Sequence, residues 1–578
     1  MVSLRTILRR FDINEHLSIS IIAVLIGVLG GYGAVLFRFA IIFFQTLLYR
    51  NGHEFLSIAS LVPWWMKLIM PAVGGAVVGP IIYFWAREAK GHGVPEVMEA
   101  VAMKGGLIRP RVSAAKILAS AISIGAGGSV GREGPIVQIG SAVGSTVGQV
   151  LKVSQDRLRT LVGCGAAAGI AATFNAPIAG VLFSVEILMG EFGVSTFSPI
   201  VLSSVTATTI SRHYFGDFPA FVVPGYEVVS VWELLLYGGL GVIVALVAVL
   251  FVITLYKCED LFDKIPIPEY TKPIMGGLIM GGTIIFLPEM FGVGYGAINL
   301  ALNGQTVWWF LLILVFSKIL ATSVTIGGGM SGGIFAPSLF IGAMLGGCFG
   351  EVVHTLFPDI TATSGAYALV GMGGLVAAAT HAPITAIIII FELTGRYTII
   401  LPLMITCITA TLLATTLKKG NIYTIKLMRR GVVLHRGRER SILQNILVQD
   451  VMWSEVHKVK ENTFLVDIIK AFQEFHTSYL TVVDKDGLLS GVISFRDIRL
   501  VLQEEQLGHL IVAEEVATRD VITVTPMEDA ETALRRMGQT GVSQLPVVDS
   551  HNPRRVIGVI HEKDITAAYD RASLALAA

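Results

Sequence analysis

From near its start to about residue 425 the chain is a series of apolar segments, among them Ile21–Tyr49, Trp64–Trp85, Val231–Tyr256, Pro273–Leu287, Trp308–Thr325 and Ile399–Leu417. A helix needs about 20 mostly apolar residues to cross a bilayer, and several of these segments reach that length while others fall short. The apolar stretches are repeatedly cut by glycine and proline, as in SIGAGGSVGREGP and TIGGGMSGGIFAP. Interrupted spans survive in a membrane only where protein or a water-filled cavity covers the freed backbone. They therefore predict a transporter-type site near the midplane. Charged residues make up only 15% of the chain, against about 25% in soluble proteins. The formal net charge of +1 gives no reason to expect nucleic acid or another polyion as partner. Cys164, Cys258, Cys348 and Cys407 form no CxxC pair and read as small buried apolar groups, with no disulfide framework or zinc site.

Arg5, Arg9 and Arg10 precede the first apolar segment, and Lys418, Lys419, Arg429, Arg430, Arg436, Arg438 and Arg440 follow the last. Basic residues gather on the cytoplasmic side of a span, so both termini are expected there. The start also lacks the short apolar run of a secretory signal.

The membrane part repeats itself. LVGCG at 161–165 and LVGMG at 369–373 each lead, through an Ala/Gly-rich stretch, to a matching block: FNAPIAGVLFSVE ending at Glu186, and THAPITAIIIIFE ending at Glu392. Pro177 precedes Glu186 by nine positions, and Pro383 precedes Glu392 by nine. A second pair matches in the same order, GREGPIVQIGSAVG at 131–144 and GGIFAPSLFIGAMLG from Gly332, so that Pro135 pairs with Pro337 and Gly140 with Gly342. Two matches in one order imply an internal duplication, with the binding site where the halves meet.

An ionisable residue inside such segments is costly and is a functional candidate by default. Glu133 sits between glycines, just before Pro135 and a long apolar helix. Glycine lets backbone amides approach a ligand, proline suits a first helical turn, and the free amides there attract anions. A carboxylate in that place can fill an anion site until it is protonated or displaced. The GGIFAP block supplies a second amide-rich turn at Gly333, Ile334 and Phe335. Two such turns could replace an anion's hydration shell yet bind weakly enough for release.

On GREGP (131–135) and GGIFAP (332–337) together, the chain resembles the CLC family of chloride channels and chloride/proton exchangers over nearly all of residues 15–425. The resemblance implies an α-helical polytopic membrane protein with an inverted internal repeat and broken helices. It also implies a homodimer in which each subunit has its own anion pathway. It makes Glu133 the gating glutamate. Its anion-binding set falls here on His92, Gly131, Arg132, Gly134, Gly333, Ile334, Phe335 and the Tyr423 hydroxyl in KKGNIYTIK. The expected boundaries are a cytoplasmic N-terminus over 1–15, a transmembrane domain over 16–425 with repeats at about 16–215 and 228–425, and a basic linker over 426–446. Beyond it VVDKDGLLSGVISFRDI and PVVDSHNPRRVIGVIHEKDI repeat one another. The tail resembles a pair of CBS domains, at 447–505 and 512–571, a small cytoplasmic α/β module of βαβ-type units. Chloride or another small anion and the lipid bilayer are the other partners expected, in a bacterial inner membrane, with no enzymatic activity and no required cofactor.

Departures from the family pattern sharpen the reading. Its first signature is usually GSGIPE, with a serine hydroxyl at the anion; residues 91–96 here read GHGVPE, which puts His92 there. An imidazole donates one hydrogen bond when neutral and adds a full positive charge when protonated. Family exchangers usually carry a proton-relaying glutamate after the one kept at Glu186, but that position is Ile187. The acidic residue that often follows the PE of the first signature is Met98. Glu191 is one turn beyond Ile187 and would be the nearest substitute, though a solvated loop residue is the plainer reading. Loss of these carboxylates favours passive conduction; the alternatives are a chloride/proton antiporter with a different proton route, or transport of another small anion. Glu186 and Glu392 read as helix-end carboxylates held by a basic residue or backbone amides.

In the tail, Gly491, Ser494 and Asp497 fit a Gly-x-x-Ser/Thr-x-x-Asp pattern that takes adenine nucleotides in CBS pairs. The second copy has Gly558 and Asp564 but His561 in place of the hydroxyl, so one intact nucleotide site is expected. A membrane metalloprotease is excluded because neither His53-Glu54 nor His561-Glu562 completes HExxH. Isolated glutamates beside glycine-rich turns also fit anions better than a cation.

Overall fold

The computed structural model describes residues 15–577, except 51, 53–54, 191, 218–220, 222, 431–442, 444, 476, 478 and 499–508. Contacts divide the chain into two compact units, Met1–Leu434 and His435–Ala578.

The first unit is helical. Among the described residues, six helical segments are long and apolar enough to cross a membrane: Leu17–Tyr49, Trp64–Trp85, Glu233–Lys264, Trp308–Gly327, Phe335–Leu356 and Ile400–Leu417. Leu47, Phe84, Leu235 and Leu412 stand exposed on these segments, as expected of faces turned to lipid. The helix expected over Val231–Tyr256 runs on to Lys264. Its polar last turns are fixed by Asp260, whose two oxygens accept from Arg429 at 2.7 and 2.9 Å.

The duplication is visible as geometry. The helix Gln155–Phe174 ends on left-handed Asn175, and Ser364–Thr380 ends on left-handed His381, at matching points of the repeated blocks. Each left-handed cap stops its helix, and a proline two residues on opens the next, at Pro177 or Pro383. Glycine permits close helix crossings in both repeats. A Cβ on Gly140 would lie 2.1 Å from the Gly165 carbonyl oxygen, and one on Gly342 would lie 2.3 Å from that of Gly371.

The second unit holds two small α/β modules with separate cores. In the first, strand Lys458–Lys460 pairs parallel with Tyr479–Val483 across the helix Leu465–Glu474, and Leu489–Ser494 pairs antiparallel with Tyr479–Val483. In the second, Gln544–Val548 pairs antiparallel with Val556–His561. There the expected first strand shrinks to one parallel bridge between Val524 and Val547.

Candidate functional site

Three glycine-rich turns of the membrane unit are stitched together by their backbones. The amide of Gly131 donates to Gly333 O at 2.7 Å, and the amide of Gly333 returns a bond to Gly131 O at 2.6 Å. The amide of Gly332 donates to Gly91 O at 3.3 Å, beside a Gly91–Ser331 bridge. GHGVPE, GREGP and GGIFAP therefore meet at one place. This corrects two expected anion ligands: the amides of Gly131 and Gly333 are committed to one another, so these residues brace the site and do not offer it N–H groups.

The free donors lie just beyond the braces. The helix Glu133–Val150 makes its first backward bond from Ile136 to Arg132 O at 3.1 Å, and Phe335–Leu356 from Ser338 to Ile334 O at 3.0 Å. The amides of Glu133, Gly134, Phe335 and Ala336 occupy opening turns, where no preceding carbonyl reaches them. Pro135 and Pro337 have no N–H to leave unsatisfied. Gly134 is wedged against the turn holding His92, since a Cβ there would sit 2.2 Å from His92 O.

Glu133 is buried, with 1% of its surface exposed. Its carboxylate faces the amides of Glu133 itself and of Ala336, so it stands at the two helix starts where an anion would be held. Its Oε1 accepts from the Tyr295 hydroxyl at 2.9 Å. Its Oε2 makes no fully formed hydrogen bond among the described residues. Ile334 and Phe335 are buried beside it, and the Phe335 ring packs on Phe174 and Phe183. Arg132 places its guanidinium 5.4 Å over the Tyr295 ring, on the wall of a cavity of about 240 Å³ shared with Arg38 and Gln45.

His92 and Tyr423 come together, their rings 5.8 Å apart and both buried. His92 does not cap the following helix, and its Nδ1 has no partner among the described residues. Tyr423 is held by Asn421, whose Oδ1 accepts from the amides of Tyr423 and Thr424 at 2.9 and 2.8 Å. Behind His92, Glu96 pairs with Lys426 at 3.0 Å and with Arg430 at 3.2 Å.

The two positions where family members usually carry carboxylates are apolar and buried here. Met98 and Ile187 are each 2% exposed and lie in the same buried core. Ile187 belongs to a π-helical turn, Phe183–Met189, that continues the helix Pro177–Leu182. Glu191 lies outside the described residues. Glu186 and Glu392 are held by backbone amides, each by those of the opposite repeat. Glu186 accepts from Ile384 and Thr385 at 3.2 and 2.6 Å, and Glu392 from Ile178 and Ala179 at 3.0 and 2.7 Å.

Sequence reasoning missed Tyr295 and two buried lysines, Lys116 and Lys318. The lysines hold loop carbonyls: Lys116 those of Ala89 and Gly91, Lys318 those of Gly292 and Val293. A lysine inside an apolar segment was the available signal.

In the tail, Asp497 Oδ2 accepts from both the amide and the hydroxyl of Ser494 at 2.7 Å, and both residues line a cavity of about 560 Å³. Asp564 is engaged instead by the Trp453 indole N–H at 2.9 Å. His561 lines a second cleft of about 780 Å³, and burial holds its imidazole below the ordinary value.

Comparison with known proteins agrees with this geometry. A family model described as voltage gated chloride channel matches residues 74–415, and one described as CBS domain matches 448–504 and 512–571. A ClcB-like protein of Ralstonia nicotianae is 37% identical over 412 residues, covering 71% of this chain and 96% of the relative. An H(+)/Cl(-) exchange transporter ClcA of Vibrio parahaemolyticus is 32% identical over 440 residues, covering 74% of this chain and 93% of its own. The crystal structure of a slow cyanobacterial Cl-/H+ antiporter superposes with a TM-score of 0.67 at 29% identity, covering 72% of this chain and 98% of that one. The chain therefore belongs to the CLC family, the voltage gated chloride channels, as a membrane anion-transport protein with a C-terminal pair of CBS domains.

Proposed function

We infer that this protein conducts chloride passively, through a pathway whose gate is the Glu133 carboxylate. The observation that carries the reading is that Ile187 and Met98, at the two positions where a proton-passing carboxylate is expected, are both apolar and buried, since neither side chain can hold or pass a proton. Glu133 competes with the anion because it faces the same free amides, those of its own helix start and of Ala336. Ile334, Phe335, His92 and Tyr423 complete the anion's surroundings. The gate is tested by chloride efflux from liposomes. Efflux should rise as pH falls and Glu133 is neutralised, and in Glu133→Ala it should be fast and independent of pH. An unchanged acid activation in that variant would end the gate assignment.

A second reading, proton-coupled exchange, is favoured by the names of the Vibrio relative and the cyanobacterial structure. It would need a proton route that avoids Ile187, and the Glu96–Lys426–Arg430 cluster behind His92 is where one would begin. Each subunit of a homodimer would carry its own pathway in a bacterial inner membrane, with both termini in the cytoplasm.

The tail is proposed to bind one adenine nucleotide at Ser494 and Asp497, with Asp564 withdrawn by Trp453. ATP titration should give one site per chain, lost in Asp497→Ala and kept in Asp564→Ala. Equal loss in both variants would contradict the assignment.

A further inference from the structure

We propose that Tyr295 is a positioning residue that latches Glu133 in the anion site; the proposal rests on the reading of Glu133 as the gate. The Tyr295 hydroxyl donates to Glu133 Oε1 at 2.9 Å, the one side-chain hydrogen bond made to this carboxylate among the described residues. The ring itself has little freedom. Phe221 meets it edge-on with centroids 5.3 Å apart, and the Arg132 guanidinium covers it at 5.4 Å. The latch joins the two repeats, because Glu133 belongs to the first and Tyr295 to the second.

The turn that carries Tyr295 is also fixed from below. Gly292 and Gly294 take φ of +64° and +91°, which favours glycine, and Tyr295 opens the helix Tyr295–Leu302. Lys318 is fully buried and donates to Gly292 O at 3.2 Å and Val293 O at 3.4 Å. A buried ammonium needs such partners, so removing the turn would strand the lysine as much as the reverse.

The duplication makes the assignment specific. GVGY at 292–295 is the counterpart of GHGV at 91–94, whose Gly91 and Gly93 also have positive φ. Lys116 grips Ala89 O and Gly91 O at 3.0 and 2.7 Å, as Lys318 grips its own turn. Each lysine stands fifteen residues before its bridging glycine, 131 − 116 in one repeat and 333 − 318 in the other. At the position following the second glycine the first repeat has Val94 and the second has Tyr295. The scaffold is common to both repeats, and the phenol on the gate is an addition to one of them.

A hydrogen bond to a carboxylate is roughly twice as strong as one to a neutral group. The latch is therefore firm while Glu133 is ionised and loosens when it is protonated. The other charged or titratable groups around it are Arg132 on its own turn, Tyr423, which lies within electrostatic reach, and Arg38 across the cavity from Arg132 and Tyr295. His92 presents its carbonyl to Gly134 and its ring to Tyr423. Arg132, Arg38 and the tyrosines keep their charge state between pH 5 and 8, so acid activation is read at Glu133.

The test is chloride efflux from liposomes holding the full chain, measured from pH 4.5 to 8 for the parent, Tyr295→Phe, Glu133→Ala and the double variant. Without its donor the ionised gate is held less firmly, so the midpoint of acid activation in Tyr295→Phe should move up by about one pH unit, a tenfold change in the gate equilibrium. Adding Tyr295→Phe to Glu133→Ala should change nothing. An unmoved midpoint in Tyr295→Phe beside a pH-independent Glu133→Ala would overturn the latch and leave the gate standing. Parent-like acid activation in Glu133→Ala would overturn the gate and the latch with it. Slower efflux on adding Tyr295→Phe in both backgrounds would mark a merely structural tyrosine, and would also overturn the latch.

Discussion

His92 is a buried imidazole next to Tyr423, its Nδ1 without a partner among the described residues, at a position where the family usually has a serine hydroxyl. A neutral imidazole offers the anion one donor; an imidazolium offers two donors and a full charge. Anion permeability ratios should therefore differ between the parent and His92→Ser when measured from pH 5.5 to 8. Identical profiles in the two proteins would remove His92 from selectivity. Glu133 and His92 were legible because a motif frames each of them. Tyr295 was not, because GVGY shares only its two glycines with GHGV, and the sequence gives no sign that its hydroxyl reaches a carboxylate 162 positions away. The roles of Gly131 and Gly333 were misread for a related reason. Glycine signals that backbone can come close, but not whether the approaching group is an anion or another strand.

At the scale of elements, the repeats are cross-braced. Glu186 ends one repeated block and holds the amides that open the other, and Glu392 does the converse. A carboxylate at a helix N-terminus also meets the positive end of the helix dipole. Hydrogen bonds to charged groups contribute about 1.5–3 kcal/mol. Glu186→Gln and Glu392→Gln should each lower stability by an amount in that range, read as earlier unfolding in detergent titrated with denaturant. Parent-like unfolding of both variants would contradict the bracing role. Breaks at Asn175-Ala-Pro177 and His381-Ala-Pro383 could be read from the sequence, since proline and a left-handed cap punctuate helices wherever they occur. The π-helical turn Phe183–Met189 could not. Its counterpart stays α-helical through Pro383–Thr394, and both stretches are equally apolar.

For the whole molecule, the duplication provides two copies of one scaffold, and function lies where the copies differ. The first copy carries the proposed gate, Glu133, and the imidazole of His92; the second supplies Phe335, Ala336, Tyr423 and the phenol of Tyr295. Where family exchangers usually carry a proton-relaying glutamate, the first copy has Ile187, buried like Met98 among apolar side chains. Chloride is proposed to cross this protein without a coupled proton. The most direct test is the reversal potential of liposome-reconstituted protein under a fixed chloride gradient, with and without an opposing pH gradient. Passive conduction predicts that the potential stays where the chloride gradient alone sets it. A potential that shifts with the pH gradient, and stops shifting in Glu133→Ala, would rule out passive conduction and establish coupled exchange.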